Sequence, residues 1–120
     1  MAEFNYHNRF FAGVTNSETG EVGADTIFHY RQDGDIVWAT YAGGSIRFGT
    51  LVATMNADGY LDMRYQHVNQ DGALCTGQCF STPEVLPDGR YRLHERWQWT
   101  SGDLSAGSSV VEELNEVYAS

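Results

Sequence analysis

The sequence predicts an all-β protein, a single up-and-down antiparallel barrel of about eight strands that occupies residues 1–120 as one domain. Two observations support this prediction. Four Asp-Gly pairs and one Gly-Gly pair separate runs rich in β-branched and aromatic residues, and such pairs favour the tight turns of β-hairpins. No segment has a convincing helical period, so helices are not expected to contribute to the core.

The turn pairs determine where each strand is expected. They are Asp33-Gly34, Gly43-Gly44, Asp58-Gly59, Asp71-Gly72 and Asp88-Gly89. The strands predicted between and around them are 7–14, 24–32, 35–42, 45–57, 60–70, 73–82, 90–100 and 108–115. We interpret the first four pairs as two-residue turns, which fix the register of neighbouring strands and therefore the side chains that share a face.

With this register, one face of a five-strand meander is apolar. Its side chains are Phe28, Tyr30, Val37, Ala39, Tyr41, Ile46, Phe48, Val52, Leu61, Met63, Tyr65, Leu74 and Phe80. The other face carries His29, Arg31, Arg47, Asp62, Arg64 and Gln66, and strand 90–100 alternates in the same way. Because no helix is available to cover the apolar face, we expect the sheet to close on itself, with a two-sheet sandwich as the alternative.

Composition excludes several classes of function. The seven basic residues are all arginine, so no lysine is available for Schiff-base chemistry or a P-loop. Sixteen acidic residues give a formal net charge of −9, which disfavours nucleic acid and anionic membranes as partners. The chain shows neither a signal peptide nor a long apolar span, and we therefore expect a cytoplasmic protein.

The two cysteines are expected to be free thiols. Cys75 and Cys79 lie on one predicted strand, where four residues separate their Cα atoms by roughly 13 Å, beyond the reach of a disulfide. Their spacing lacks a second Cys or His motif, so the sequence predicts neither a metal site nor a cofactor.

Polar residues on the apolar face mark the candidate ligand site, because buried polar groups require a partner or a function. Glu95 is the most informative of them, since it lies between Leu93 and Trp97 and burial would raise its pKa. The predicted ligand-binding residues are Phe28, Tyr30, Tyr41, Phe48, Tyr65, His67, Gln78, Glu95, Trp97 and Trp99. The alternative is that Glu95 forms a structural bridge with His67 or an arginine, or that a bulge exposes it.

Two loops are expected at the same rim of the barrel and are candidates for a mouth, namely residues 15–24 and 101–107. The segment 81–87 at the opposite rim is a rival and would serve equally well as a plug. The predicted outer face also carries apolar residues, which favour a homodimer. These are Ile27, Ile36, Trp38, Leu51, Met55 and Val68.

The segment from Phe28 to Glu113 resembles a family of small uncharacterised bacterial proteins. The resemblance rests on Tyr41-Ala42-Gly43-Gly44, Asp58-Gly59-Tyr60-Leu61, His67-Val68-Asn69, Asp88-Gly89-Arg90 and Glu95-Arg96-Trp97-Gln98-Trp99-Thr100. Members of that family often carry the label N-acetylglutamate synthase. We do not expect acetyltransferase activity, because the sequence predicts neither a pyrophosphate-binding loop nor a helix to follow it.

More broadly, the pattern is similar to the calycin barrels, such as lipocalins, fatty-acid-binding proteins and avidin. This similarity implies a barrel that binds a small apolar or aromatic ligand in its interior, without catalysis. Two alternatives remain open: an isomerase, cyclase or lyase that uses Glu95 or His67 as acid or base, and a filled barrel that acts as a homodimeric interaction module.

Overall fold

The fold is a closed antiparallel barrel, seen in a computed structural model that describes residues 4–115. Its strands are β1 (Arg9–Asn16), β2 (Ile27–Asp33), β3 (Ile36–Gly43), β4 (Ile46–Met55), β5 (Leu61–Asn69), β6 (Leu74–Val85), β7 (Tyr91–Trp99) and β8 (Ala106–Glu113). Each strand pairs with the next one, and β8 pairs with β1 to close the ring. This confirms the predicted up-and-down barrel of eight strands, and residues 4–115 contain no helix.

The described residues contain no helix that is long and apolar enough to cross a membrane.

One rim of the barrel is closed by the N-terminal segment, residues 4–8, which we call the plug. Tyr6 is fully buried there and donates its hydroxyl to the carbonyl of Gly59 over 2.8 Å. The ring of Phe4 lies against Gly59 and packs edge-on against Tyr91, with ring centroids 5.3 Å apart. The segment 81–87, the other candidate for a plug, does not close the barrel, because residues 81–85 are part of β6 and pair with β7.

Strand β4 differs from the predicted register, which corrects two of the expected inward side chains. Irregularities between Tyr41 and Gly43 and between Ile46 and Phe48 set Tyr41 opposite Gly49 instead of Ile46. A change of one residue moves a whole strand to its other face. Phe48 and Val52 therefore point outward, 56% and 52% exposed, while Leu51, predicted outside, is buried.

After the turn at Asp58-Gly59, the side chains of β5 lie on their predicted faces. After the turn at Asp71-Gly72, those of β6 lie on the faces opposite to the predicted ones. The first turn contains three residues, because the backbone N–H of Asn56 donates to the carbonyl of Tyr60. It sets Ala53 opposite Met63, so the side chains of β5 face as predicted. The second contains three residues, because the backbone N–H of Asn69 donates to the carbonyl of Ala73. Strand β6 is consequently shifted by one residue. The side chains of Leu74, Gln78 and Phe80 are exposed, whereas Cys79 and Ser81 are buried inside.

The arginines lie outside the barrel, as the sequence predicts. None of the seven is buried. Arg92 pairs with Glu112 at 2.7 Å, and Arg9 pairs with Glu113 at 2.8 Å. The interior is thereby left without an arginine to neutralise a buried carboxylate.

Candidate functional site

A pocket opens at the rim opposite the plug and narrows into the barrel. It is lined by Asn16, Gly20, Glu21, Val22, Phe28, Tyr41, Leu51, Met63, Tyr65, His67, Cys79, Glu95, Trp97, Trp99 and Ser109. The empty space is about 450 Å³ with the open mouth included, but the cavity volume itself is only about 40 Å³. The pocket is therefore a narrow, mainly apolar cleft with five aromatic side chains in its lining.

Seven of the ten predicted ligand-binding residues line this pocket. They are Phe28, Tyr41, Tyr65, His67, Glu95, Trp97 and Trp99. Phe48 and Gln78 were predicted inside and lie on the outer surface, because of the register changes in β4 and β6. Tyr30 is fully buried between the pocket and the plug, and its hydroxyl has no hydrogen-bond partner among the described residues.

Glu95 forms the polar floor of the pocket. Ser81 donates its hydroxyl to Oε2 and Ser109 donates its hydroxyl to Oε1, each over 3.0 Å. The residue is only 9% exposed, and burial raises the pKa of its carboxyl to about 7, while the two serine hydrogen bonds act in the opposite direction. Its hydrogen bonds in residues 4–115 come from hydroxyls, so the suggested bridge to His67 or an arginine was wrong.

His67 is part of a separate polar group at the mouth of the pocket. Its Nε2 lies 2.7 Å from Oε1 of Glu21, and its Nδ1 lies 3.0 Å from the hydroxyl of Tyr41. Asn69 donates its amide to the other carboxylate oxygen of Glu21 over 3.0 Å. His67 is only 2% exposed. Its group lies at the edge of the mouth, whereas Glu95 lies at the floor of the pocket.

The connection between β1 and β2, residues 17–26, folds over the mouth, and we call it the lid loop. Trp99 donates its indole N–H to the carbonyl of Thr19 over 3.0 Å. Trp97 donates in the same way to Oδ1 of Asn16 over 3.0 Å, at the start of the loop. The prediction that residues 15–24 lie at the mouth is confirmed, whereas the described lining includes none of residues 101–107.

Glycines inside the barrel let two tyrosine rings lie flat against the wall. A Cβ at Gly49 would stand 2.4 Å from Cζ of Tyr41, and a Cβ at Gly77 would stand 2.3 Å from Cζ of Tyr65. Sequence reasoning did not use these residues, although glycine inside a strand often marks a close approach. It also missed Glu21, Ser81 and Ser109, because the positions of all three depend on loop geometry and register.

A closed eight-stranded meander with an aromatic pocket at one rim defines a barrel of the calycin type. A family model described as "Avidin-like protein" matches residues 4–114, and the chain therefore belongs to the avidin-like family. No curated protein and no solved structure matches the chain significantly. Nothing in these comparisons supports the N-acetylglutamate synthase label.

Proposed function

We propose that this protein binds a small, mainly apolar or aromatic molecule inside the barrel. The observation that supports the proposal best is the pocket itself, in which aromatic walls lead to a single polar floor at Glu95. A few convergent polar groups at the end of an apolar cavity are typical of small-molecule sites. Membership of the avidin-like family supports the same general function.

The floor restricts which end of a ligand can bind there. Glu95 already accepts hydrogen bonds from Ser81 and Ser109, and its carboxyl changes protonation near neutral pH. A carboxylate or phosphate on the ligand would be repelled by it, especially on a chain with a net charge of −9. We therefore propose a ligand whose buried end is uncharged or cationic and carries an N–H or O–H donor.

The lid loop must move to admit such a ligand. The space below it is about 40 Å³, far less than the ~300 Å³ of an ordinary ligand site. The ends of the loop are fixed by Ser17 to Ser108 and by Thr26 to Gly43. Its middle is held over the mouth by side-chain contacts, namely the indole donation from Trp99 to Thr19 and the contacts of Glu21 with His67 and Asn69. These can be exchanged for contacts with a ligand, so binding and loop movement are expected to be coupled.

Binding is tested by native mass spectrometry of freshly purified protein and by quenching of the fluorescence of Trp97 and Trp99. A panel of matched compounds should share one aromatic body and differ in one end group: amide, alcohol, amine or carboxylate. We expect the carboxylate member to bind at least tenfold more weakly than the amide. Absence of binding by every member would contradict the proposal.

Two neighbouring positions on β4 provide a matched control for the location. Leu51 lines the pocket, whereas Val52 points outward and is 52% exposed. Leu51→Phe should narrow the pocket and weaken binding, while Val52→Phe should leave it unchanged. Equal effects of both variants would mean that the ligand does not enter the barrel.

The pKa of Glu95 favours a second candidate, an isomerase, cyclase or lyase with this carboxyl as acid or base. A pKa of about 7 suits proton transfer at neutral pH, and the group faces a pocket. Glu95→Gln would then remove turnover while retaining binding of the uncharged ligand. If the protein only binds its ligand, the wild-type chain converts no member of the panel to product.

We also propose that the outer face mediates a homodimer. Phe48 of β4, Val68 of β5 and Leu74 of β6 stand opposite one another in a row across three strands. Phe48 is 56% exposed and Leu74 is 68% exposed, which is costly for a monomer. Light scattering after gel filtration should give twice the chain mass for wild type and the monomer mass for Phe48→Ser. A wild-type monomer would contradict the proposal.

A further inference from the structure

Three side chains with metal-binding groups meet at the mouth of the pocket. The imidazole of His67, the thiol of Cys75 and the carboxylate of Glu21 each offer one donor atom, and the three atoms lie within 4.8 Å of one another. Nε2 of His67 is 2.7 Å from Oε1 of Glu21, and Sγ of Cys75 is 3.9 Å from the same oxygen. We propose that these residues bind a divalent transition-metal ion, with Zn²⁺ as the best match.

The backbone brings the donors together from distant parts of the chain. His67 and Cys75 lie directly opposite each other in the β5–β6 pair, so their side chains share the inner face. Glu21 comes from the lid loop and approaches them from above. The spacing of Cys75 and Cys79 therefore gave no sign of this site, because Cys79 takes no part in it.

The distances suit a tetrahedral ion after small movements. Zinc is bound at about 2.0–2.1 Å by imidazole nitrogen and about 2.3 Å by thiolate, which places its donor atoms roughly 3.2–3.8 Å apart. Shifts of about 1 Å would bring the present donors to these separations. Glu21 can provide such a shift because it lies on a loop rather than on a strand. Three protein donors leave a fourth position for water or another ligand.

Neighbouring residues already orient two of the donors. The hydroxyl of Tyr41 lies 3.0 Å from Nδ1 of His67, which directs Nε2 toward Glu21. Asn69 donates to Oε2 of Glu21 and leaves Oε1 facing the histidine. Asn69 is itself fixed by the turn, because its Oδ1 accepts from the backbone N–H of Ala73 over 2.9 Å. Such outer contacts are characteristic of metal ligands in proteins.

The donor set also determines the class of ion. A thiolate and a carboxylate together carry the two negative charges that balance a divalent cation. Sulfur and imidazole donors favour Zn²⁺ and Co²⁺, whereas Mg²⁺ and Ca²⁺ prefer oxygen donors. The site shares Glu21 and His67 with the mouth of the ligand pocket but does not include the floor at Glu95. Because metal binding is measured without a ligand, its failure is distinguishable from failure of ligand binding.

Cobalt provides a direct test, because a Co²⁺–thiolate bond produces an intense charge-transfer absorption in the near ultraviolet. The full-length protein, treated with a chelator and desalted, is titrated with Co²⁺ and then with Zn²⁺. We expect one Co²⁺ per chain, the thiolate absorption, and displacement by Zn²⁺ but not by Mg²⁺. Cys75→Ser should remove the absorption, while Cys79→Ala should retain it. Absence of Co²⁺ binding, or an absorption that survives Cys75→Ser, would overturn the proposal.

The other two donors have their own controls. His67→Gln and Glu21→Gln should each weaken Co²⁺ binding at least tenfold. His94→Gln should leave it unchanged, although His94 also contacts a carboxylate, that of Glu84 at 2.8 Å on the outer surface. Circular dichroism establishes that each variant is folded. If His67→Gln does not fold, Cys75→Ser and Glu21→Gln decide the matter, since both side chains are partly exposed. Loss of binding in His94→Gln alone would place the metal elsewhere and overturn the proposal.

Discussion

Ser81 lies directly opposite Glu95 in the β6–β7 pair and donates its hydroxyl to Oε2 of Glu95 over 3.0 Å. Ser109 lies opposite Glu95 on β8 and donates its hydroxyl to Oε1. One strand register therefore supplies both hydrogen bonds of a buried carboxyl. Because two hydroxyls replace less than the full hydration of a charged group, desolvation prevails and the pKa rises to about 7.

This carboxyl should make the stability of the protein depend on pH. The folded pKa of about 7 exceeds the ordinary value of 4.5, so the fold binds this proton more tightly than the unfolded chain does. Its stabilising contribution is complete below about pH 4.5 and is lost as the pH rises to 7, by roughly 3 kcal/mol. Glu95→Gln should thus stabilise the protein by about 2–3 kcal/mol at pH 8 and have little effect at pH 5, as measured by urea unfolding.

Glu112→Gln is a control with the opposite sign. Hydrogen bonds from Arg92 and Arg90 hold the pKa of Glu112 below its ordinary value. That contribution is present above the unfolded pKa and is lost as the pH falls, so the substitution should lower stability at pH 8 and matter little near pH 3. If the Glu95→Gln effect were equal at pH 5 and pH 8, Glu95 would not be titrating inside the folded barrel.

The buried hydroxyl of Tyr30 provides a second prediction. It has no partner among the described residues, and an unsatisfied buried hydroxyl costs about 1–3 kcal/mol. Tyr30→Phe should therefore raise the free energy of unfolding by about 1 kcal/mol. Tyr6→Phe is the matched control, because it removes the hydrogen bond to Gly59 and should lower the free energy by about 1 kcal/mol. Destabilisation by both changes would show that Tyr30 has a partner.

The sequence was sufficient to predict the barrel and the inner face of β7, because alternation within a strand does not depend on turns. Leu93, Glu95 and Trp97 all face inward, as expected. The faces of β4 after Ile46 and of β6 were predicted wrongly, since one extra residue in a turn or a bulge reverses every side chain that follows. Two such changes cancel at β5, which explains why Tyr65 and His67 were nevertheless assigned to the correct face.

The contacts at the mouth could not be predicted in the same way. Glu21 meets His67 across 46 positions of sequence, and their approach depends on the path of the lid loop. Nothing in the local pattern around Glu21 indicates that path. The glycine at position 49 was a usable signal, because glycine is unfavourable inside a strand unless another group approaches it.

The lid loop should loosen when one indole donor is removed. Trp99→Phe retains the aromatic wall but deletes the hydrogen bond to the carbonyl of Thr19, worth about 0.5–1.5 kcal/mol. Amide hydrogen exchange in residues 17–26 should accelerate roughly two- to tenfold, as measured by mass spectrometry. Trp38→Phe, on the outer face of β3, should leave exchange in the loop unchanged. Equal exchange in wild type and Trp99→Phe would show that this bond does not restrain the loop.

Gly49 should be among the positions least tolerant of a side chain. It stands directly opposite both Tyr41 and His67, and a Cβ there would lie 2.4 Å from Cζ of Tyr41 and 2.7 Å from Cβ of His67. Gly49→Ala should cost about 1–3 kcal/mol of stability through overpacking. It should also separate the Tyr41 hydroxyl from Nδ1 of His67, visible as a shifted imidazole resonance by NMR. Gly23→Ala meets no atom within 4 Å and should change neither measurement, whereas equal losses for both variants would contradict the packing argument.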